Sequence, residues 1–143
     1  KFDRKKSKVI PALIRRAVEK QNPFEVWGDG LDLKDFLYID DYIDGMLLAM
    51  EKIVKFQAIN IASGNAVTIR DVLQEILTSA DYQNAAVKYD SSKPTMIPKR
   101  MIDISLANVL LGWVPTISLK DGIQLTVDWY RETYSYKSPE DSL

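Results

Sequence analysis

The chain has 143 residues, with 19 Lys and Arg against 20 Asp and Glu, and neither histidine nor cysteine. Imidazole acid–base chemistry, Ser-His-Asp triads, His or Cys metal sites, thiolate nucleophiles and disulfides are thereby excluded. A hydrophobic fraction of 46% and a net charge of −1 suit one globular domain with no overall attraction to nucleic acid or anionic lipid.

Residues 1–8 carry five cations against the single Asp3 and begin without Met, as a processed or excised chain would. In residues 9–20, Ile10, Leu13, Ile14, Ala17 and Val18 recur at helical spacing, with Pro11 confined to the first turn. That helix is expected to end before Asn22-Pro23. Phe24-Glu25-Val26-Trp27 reads as a strand stopped by the turn Gly28-Asp29-Gly30. Residues 35–39 read as a second strand, and Asp40-Asp41 as the cap and first turn of a helix reaching about Ile53.

Residues 58–62 (AINIA) suggest a third strand, closed by Ser63-Gly64-Asn65. Thr68 with Asp71 resembles a capping box opening a helix to about Ala80, with Val72, Leu73, Ile76 and Leu77 inward. Residues 85–89 and 101–103 read as short strands around a loop with two prolines at 91–99. A short helix over 105–111 stops at Gly112, and a last helix starts at Ser118-Leu119. The expectation is one small mixed α/β domain over 1–134 with a polar tail at 135–143.

No stretch approaches the roughly 20 apolar residues of a membrane span, since residues 43–50 are interrupted by Asp44 and Gly45. No apolar leader follows the basic start, so the expected compartment is the cytoplasm.

Phosphate-cradling patterns of the G-x-G-x-x-G or G-x-x-x-x-G-K-[ST] type are missing, and Gly28-Asp29-Gly30 reads as a turn. The trio Asp40, Asp41 and Asp44 suits helix-start electrostatics better than a metal, for want of further ligands. Trp113, Trp129 and Tyr130 lie in apolar contexts that suit core packing, whereas Trp27 ends a strand beside a glycine turn, where a ring face can stay open. Lys34, Lys93 and Arg100 are each ordinary surface cations taken singly; on loops around one groove they could clamp a diphosphate.

Several motifs follow one another in a telling order. Residues 9–16 (VIPALIRR), 26–30 (VWGDG), 35–41 (DFLYIDD) and 60–64 (NIASG) are followed by Thr68-Ile69-Arg70. Residues 93–103 (KPTMIPKRMID), Leu111-Gly112-Trp113 and 118–123 (SLKDGI) complete the series. Together they resemble the C-terminal half of the extended short-chain dehydrogenase/reductases, the NAD(P)-dependent nucleotide-sugar epimerases, dehydratases and reductases. The resemblance covers residues 2–134.

It implies an α/β substrate-binding domain that lacks the N-terminal Rossmann domain, where the family keeps its glycine-rich cofactor loop and its Ser, Tyr and Lys catalytic set. Val9 and Leu13 would contact the nucleotide base, and Val26 and Trp27 would line the sugar-nucleotide groove. Lys34 falls where the family usually has an arginine for the diphosphate, so a point charge replaces a bidentate fork. Lys93 matches the family's phosphate-contacting lysine, while Thr95-Met96 departs from its usual Asp and Gly. NAD or NADP would be bound by the parent protein and not by this chain, which would hold no catalytic residue and be inactive alone. Implied partners are the nucleotide-sugar, the chain's own Rossmann domain and, through the face that domain would cover, a second copy of the chain; nucleic acid and membrane are not implied. The alternative function is a non-catalytic nucleotide-sugar-binding or protein-interaction module.

Overall fold

The computed structural model describes residues 2, 7–93 and 97–134. Its elements run α1 (Val9–Val18), β1 (Phe24–Trp27), β2 (Leu33–Asp35), α2 (Ile39–Lys52), β3 (Ala66–Thr68), α3 (Ile69–Ser79), β4 (Val87–Asp90), α4 (Ser105–Leu111) and α5 (Leu119–Tyr134). The tail at 135–143 and the departure Thr95-Met96 lie outside the described residues.

Two cores form. Helices α1, α3 and α5 turn their apolar stripes onto one another and onto β1, burying Leu13, Ile14, Phe24, Val72, Ile76 and Val127. That stripe is what helical spacing produces when one face of each helix meets a common centre. A smaller cluster of Ala107, Leu111 and Trp113 gathers Leu48 and Ala49 from α2 and Leu37, Ile53, Ile59 and Ile61 from the connections. Neighbouring side chains divide between them, Phe36 packing on the larger core and Leu37 on the smaller.

Strand pairing ties the segments together in two ribbons. Strands β1 and β4 are parallel, with Phe24 opposite Val87 and Trp27 opposite Asp90. Strands β2 and β3 are antiparallel, with Leu33 opposite Thr68 and Asp35 opposite Ala66. Leu33 also bridges Lys99, drawing the 97–100 segment alongside β2.

Local signals account for much of this. The capping box at α3 is complete: the Asp71 N–H donates to Thr68 Oγ1 and the Thr68 N–H donates to Asp71 Oδ2, both at 3.1 Å. Helix α4 ends at Gly112 in the left-handed region (φ 66), the usual glycine stop.

Four expectations are corrected. The second strand is Leu33–Asp35 and not 35–39, because its register is set by β3, a three-residue strand too short to carry a readable pattern. Residues 58–62 do not form a strand: Ile59 and Ile61 keep period-two burial against the smaller core, but they pair with no strand among the described residues. Residues 101–103 are likewise unpaired, the bridge having formed two residues earlier at Lys99. Trp129 is half exposed; the inward stripe of α5 is Ile123, Val127 and Tyr130, and Trp129 falls beside it.

The cap of α2 also differs from expectation, while Asp40 and Asp41 fall in its first turn as expected. Tyr38 is the N-cap of α2, with no side-chain cap, and Asp41 lies within the first turn, 2% exposed. Its carboxylate accepts the N–H groups of Thr116 (3.0 Å) and Ile117 (2.9 Å) and the Thr116 hydroxyl (2.9 Å). Asp41 therefore fastens α2 to the segment entering α5.

Candidate functional site

The C-terminal ends of β1 and β4 lie side by side. Alternation along β1 buries Phe24 and Val26 and exposes Glu25 and Trp27. Trp27 is 56% exposed, and Lys93 places its Nζ 5.9 Å from the centre of the indole ring. The two meet because β4 runs parallel to β1, setting Asp90 opposite Trp27, and a short turn then returns Lys93 to the ring. That turn is held by Asp90, whose carboxylate accepts the Ser92 hydroxyl (2.6 Å) and N–H (3.1 Å). Those bonds, chiefly the hydroxyl, and the charges of Lys93 and Lys88 hold the Asp90 carboxyl below the usual carboxylate range.

A second cationic group lies along β2. Lys34 pairs with Asp32 at 3.1 Å and its ammonium donates to the Ile97 carbonyl. Beside it the Arg100 N–H donates to the Leu33 carbonyl at 2.9 Å, and the Leu33 N–H donates to the Pro98 carbonyl at 2.8 Å. The chain between Lys93 and Arg100 thus has one end at Trp27 and the other against β2. An open indole face beside an ammonium, with further cations on the following loop, suits a ligand that joins a ring to a phosphate.

The other three apolar candidates lie elsewhere. Leu13 (3% exposed) and Val26 (2%) are turned into the larger core, Val26 because strand alternation puts it on the face opposite Trp27. Val9 is exposed at the first position of α1, with no contact to the Trp27–Lys93 pair among the described interactions. Arg70 was not among the candidates, yet its Nε donates to the Asp29 carbonyl at 3.0 Å, so it holds the turn between Trp27 and Lys34. The sequence signal for it was the Thr68-Ile69-Arg70 motif.

A separate groove of about 570 Å³ runs between the start of α2 and α5, lined by Phe36, Tyr38, Ile39, Leu119, Gly122 and Trp129 among others. Among the described residues no group of three or more acidic side chains is arranged to hold a metal ion, and no helix is long and apolar enough to cross a membrane.

Comparison with known proteins follows the same lines. Residues 1–62 match the model of the NAD dependent epimerase/dehydratase family. A putative GDP-L-fucose synthase 2 of Arabidopsis thaliana is 38% identical over 141 residues, covering 95% of this chain and 42% of that protein. The GDP-L-fucose synthase of Escherichia coli K12 is 33% identical, covering 92% of this chain and 44% of that one. A crystal structure of UDP-glucose 4-epimerase from Thermotoga maritima with UDP-glucose superposes with a TM-score of 0.80 at 29% identity, over 89% of this chain and 40% of that chain. The fold and these matches define the class that this chain is similar to, the NAD-dependent epimerase/dehydratase proteins. Its relatives include several GDP-L-fucose synthases, from plants and bacteria. The chain spans about two-fifths of the length of the relatives it matches.

Proposed function

We propose that this chain is the nucleotide-sugar-binding part of an NAD(P)-dependent epimerase, dehydratase or reductase, with a GDP-linked 4-keto-6-deoxyhexose as the favoured substrate class. The observation that carries the reading is the open Trp27 ring beside Lys93, with Lys34 on β2 and the Arg100 main chain bonded next to it. Trp27 offers a face to a ring of the ligand, and Lys93 and Lys34 offer ammonium donors to its diphosphate. Such contacts orient the hexose toward groups supplied from outside this chain. The relatives named GDP-L-fucose synthase support the choice of a GDP-sugar.

The cofactor belongs outside these residues in this reading. A dinucleotide site needs a glycine-rich turn opening into a helix N-terminus. Gly28-Asp29-Gly30 leads instead into β2, and its main chain is already engaged: the Gly28 N–H donates to the Asp90 carbonyl (2.8 Å), and the Gly30 carbonyl accepts the Arg70 N–H (3.0 Å). These residues do not fit NAD(P), and no catalytic step is assigned to them.

Titration calorimetry with GDP, UDP, CDP and dTDP tests the proposal. Binding of GDP is expected, weakened roughly tenfold by Lys93→Ala, as loss of one charge-assisted contact would do. Binding of another base in preference would reassign the substrate, and no binding by any of the four would overturn the groove.

The remainder of the parent is also the partner that α2 calls for. Its outer face exposes Ile39, Ile43, Met46, Leu47 and Met50, and the following Val54 and Phe56 are 90% and 101% exposed. A contiguous apolar face of this kind is covered in a stable soluble protein. On its own the chain is therefore expected to self-associate, giving an average mass that rises with concentration in sedimentation velocity. A clean monomer throughout would contradict it.

A further inference from the structure

Arg70 makes more contacts around the Gly28–Asp32 turn than a surface arginine needs. It is the second residue of α3, where the Thr68–Asp71 capping box fixes the main chain. From that fixed position its N–H donates to the Gly30 carbonyl and its side-chain Nε to the Asp29 carbonyl, both at 3.0 Å. Its neighbour Ile69 donates to the Asp32 carbonyl at 3.1 Å. The guanidinium carbon lies 4.7 Å from the centre of the Tyr89 ring.

The turn is pressed hard against this pair. Gly30 has φ +78, and a Cβ there would meet Tyr89 Cε1 at 2.6 Å and Arg70 Cγ at 2.7 Å. Tyr89 stands on β4, one residue before the register partner of Trp27 and four before Lys93. One side chain therefore touches both strands' exits: the turn that leaves Trp27 for Lys34, and the strand that leads to Lys93.

We propose that Arg70 is a positioning residue, which holds the Gly28–Asp32 turn and so fixes the placing of the Trp27–Lys93 pair relative to Lys34. Its consequence for binding rests on the function proposed above; its effect on the turn does not. Precise constellations on loops depend on such supporting bonds. A lysine would keep the charge over Tyr89 but lack the planar fork that reaches a carbonyl while stacking.

The test uses the 143-residue chain labelled with 5-fluorotryptophan, whose three tryptophans give separate fluorine resonances, Trp27 being assigned through Trp27→Phe. Arg70→Ala is expected to shift or broaden the Trp27 resonance while those of Trp113 and Trp129 stay in place, which general loss of stability would not do. Arg70→Lys is expected to recover the resonance only in part. GDP affinity is expected to fall roughly tenfold in Arg70→Ala, the loss of about one charge-assisted hydrogen bond. An unmoved Trp27 resonance in Arg70→Ala would overturn the positioning role, with or without nucleotide binding. Movement of all three resonances together would overturn it too, since Arg70 would then support the fold at large. Failure of the wild-type chain to bind GDP would count against the proposed function alone, because the ligand-free spectra decide the role of Arg70.

Discussion

Phe24→Ala is expected to lower the stability of the chain by about 3–5 kcal/mol, the range for deleting a fully buried aromatic ring. Phe24 is wholly buried, sits at the start of β1 opposite Val87, and has its ring centroid 6.5 Å from that of Tyr82. The helices α1 and α3 and the β1–β4 ribbon all pack where it sits, so the surroundings cannot close over the void without moving a strand. Against a total stability on the order of 5–15 kcal/mol, the loss removes a large share. Urea unfolding followed by circular dichroism should show the midpoint falling with the slope unchanged. A loss below about 1 kcal/mol would mean that the core collapses around the site or that β1 is not anchored there. Because Trp27 lies three residues on, the same variant should also weaken nucleotide binding.

Asp41→Asn is expected to cost about 2–3 kcal/mol, in the range for hydrogen bonds to a buried charged group. The amide can accept on one atom only, and its NH2 group would face an N–H where a carboxylate oxygen now accepts. The substitution should therefore loosen the junction between α2 and the entry to α5, and with it the contact between the two cores.

Its pH dependence has a definite sign. Burial pushes the Asp41 carboxyl up, but the Thr116 and Ile117 N–H groups and the Thr116 hydroxyl outweigh burial and hold it below its ordinary value. The folded value thus lies below the unfolded one of about 3.9, so the carboxylate's contribution is fully present above that pH. It is lost as pH falls through the folded value. The stability difference between wild type and Asp41→Asn should be constant near neutral pH and shrink below about pH 4. Asp71, Asp90 and Asp103 are held low in the same direction by Thr68, Ser92 and Ser105, so wild type and variant both lose stability in acid from those. Only the difference between them isolates Asp41. A difference that stays constant down to pH 2 would show that the three bonds are not made to the ionised form.

What the sequence determined alone is whatever short-range chemistry decides. The α3 start needed only Thr68 and Asp71 three residues apart, and the α4 stop needed only Gly112. The inward stripe of α3 follows from spacing, and β1 from four residues ahead of a glycine turn. Exposure of Trp27 was legible for the same reason, since a strand alternates. The motif order also pointed to the family before any contact was known.

Tertiary structure decided everything that depends on a partner distant in sequence. Trp27 and Lys93 are 66 residues apart in sequence and meet only because β1 and β4 pair in parallel. The family resemblance puts Val26 and Leu13 at the ligand with Trp27, whereas the larger core takes both of them inward. Strand β2 sits at 33–35 because β3 pairs there, and residues 58–62 have strand chemistry but pair with no strand among the described residues. Asp41 reads as a helix-start charge until the 116–117 segment, 75 residues on, brings three donors to it. A hydrogen-bond donor or a packing surface contributed from far along the chain leaves no local trace, so these choices become visible only when the chain is folded.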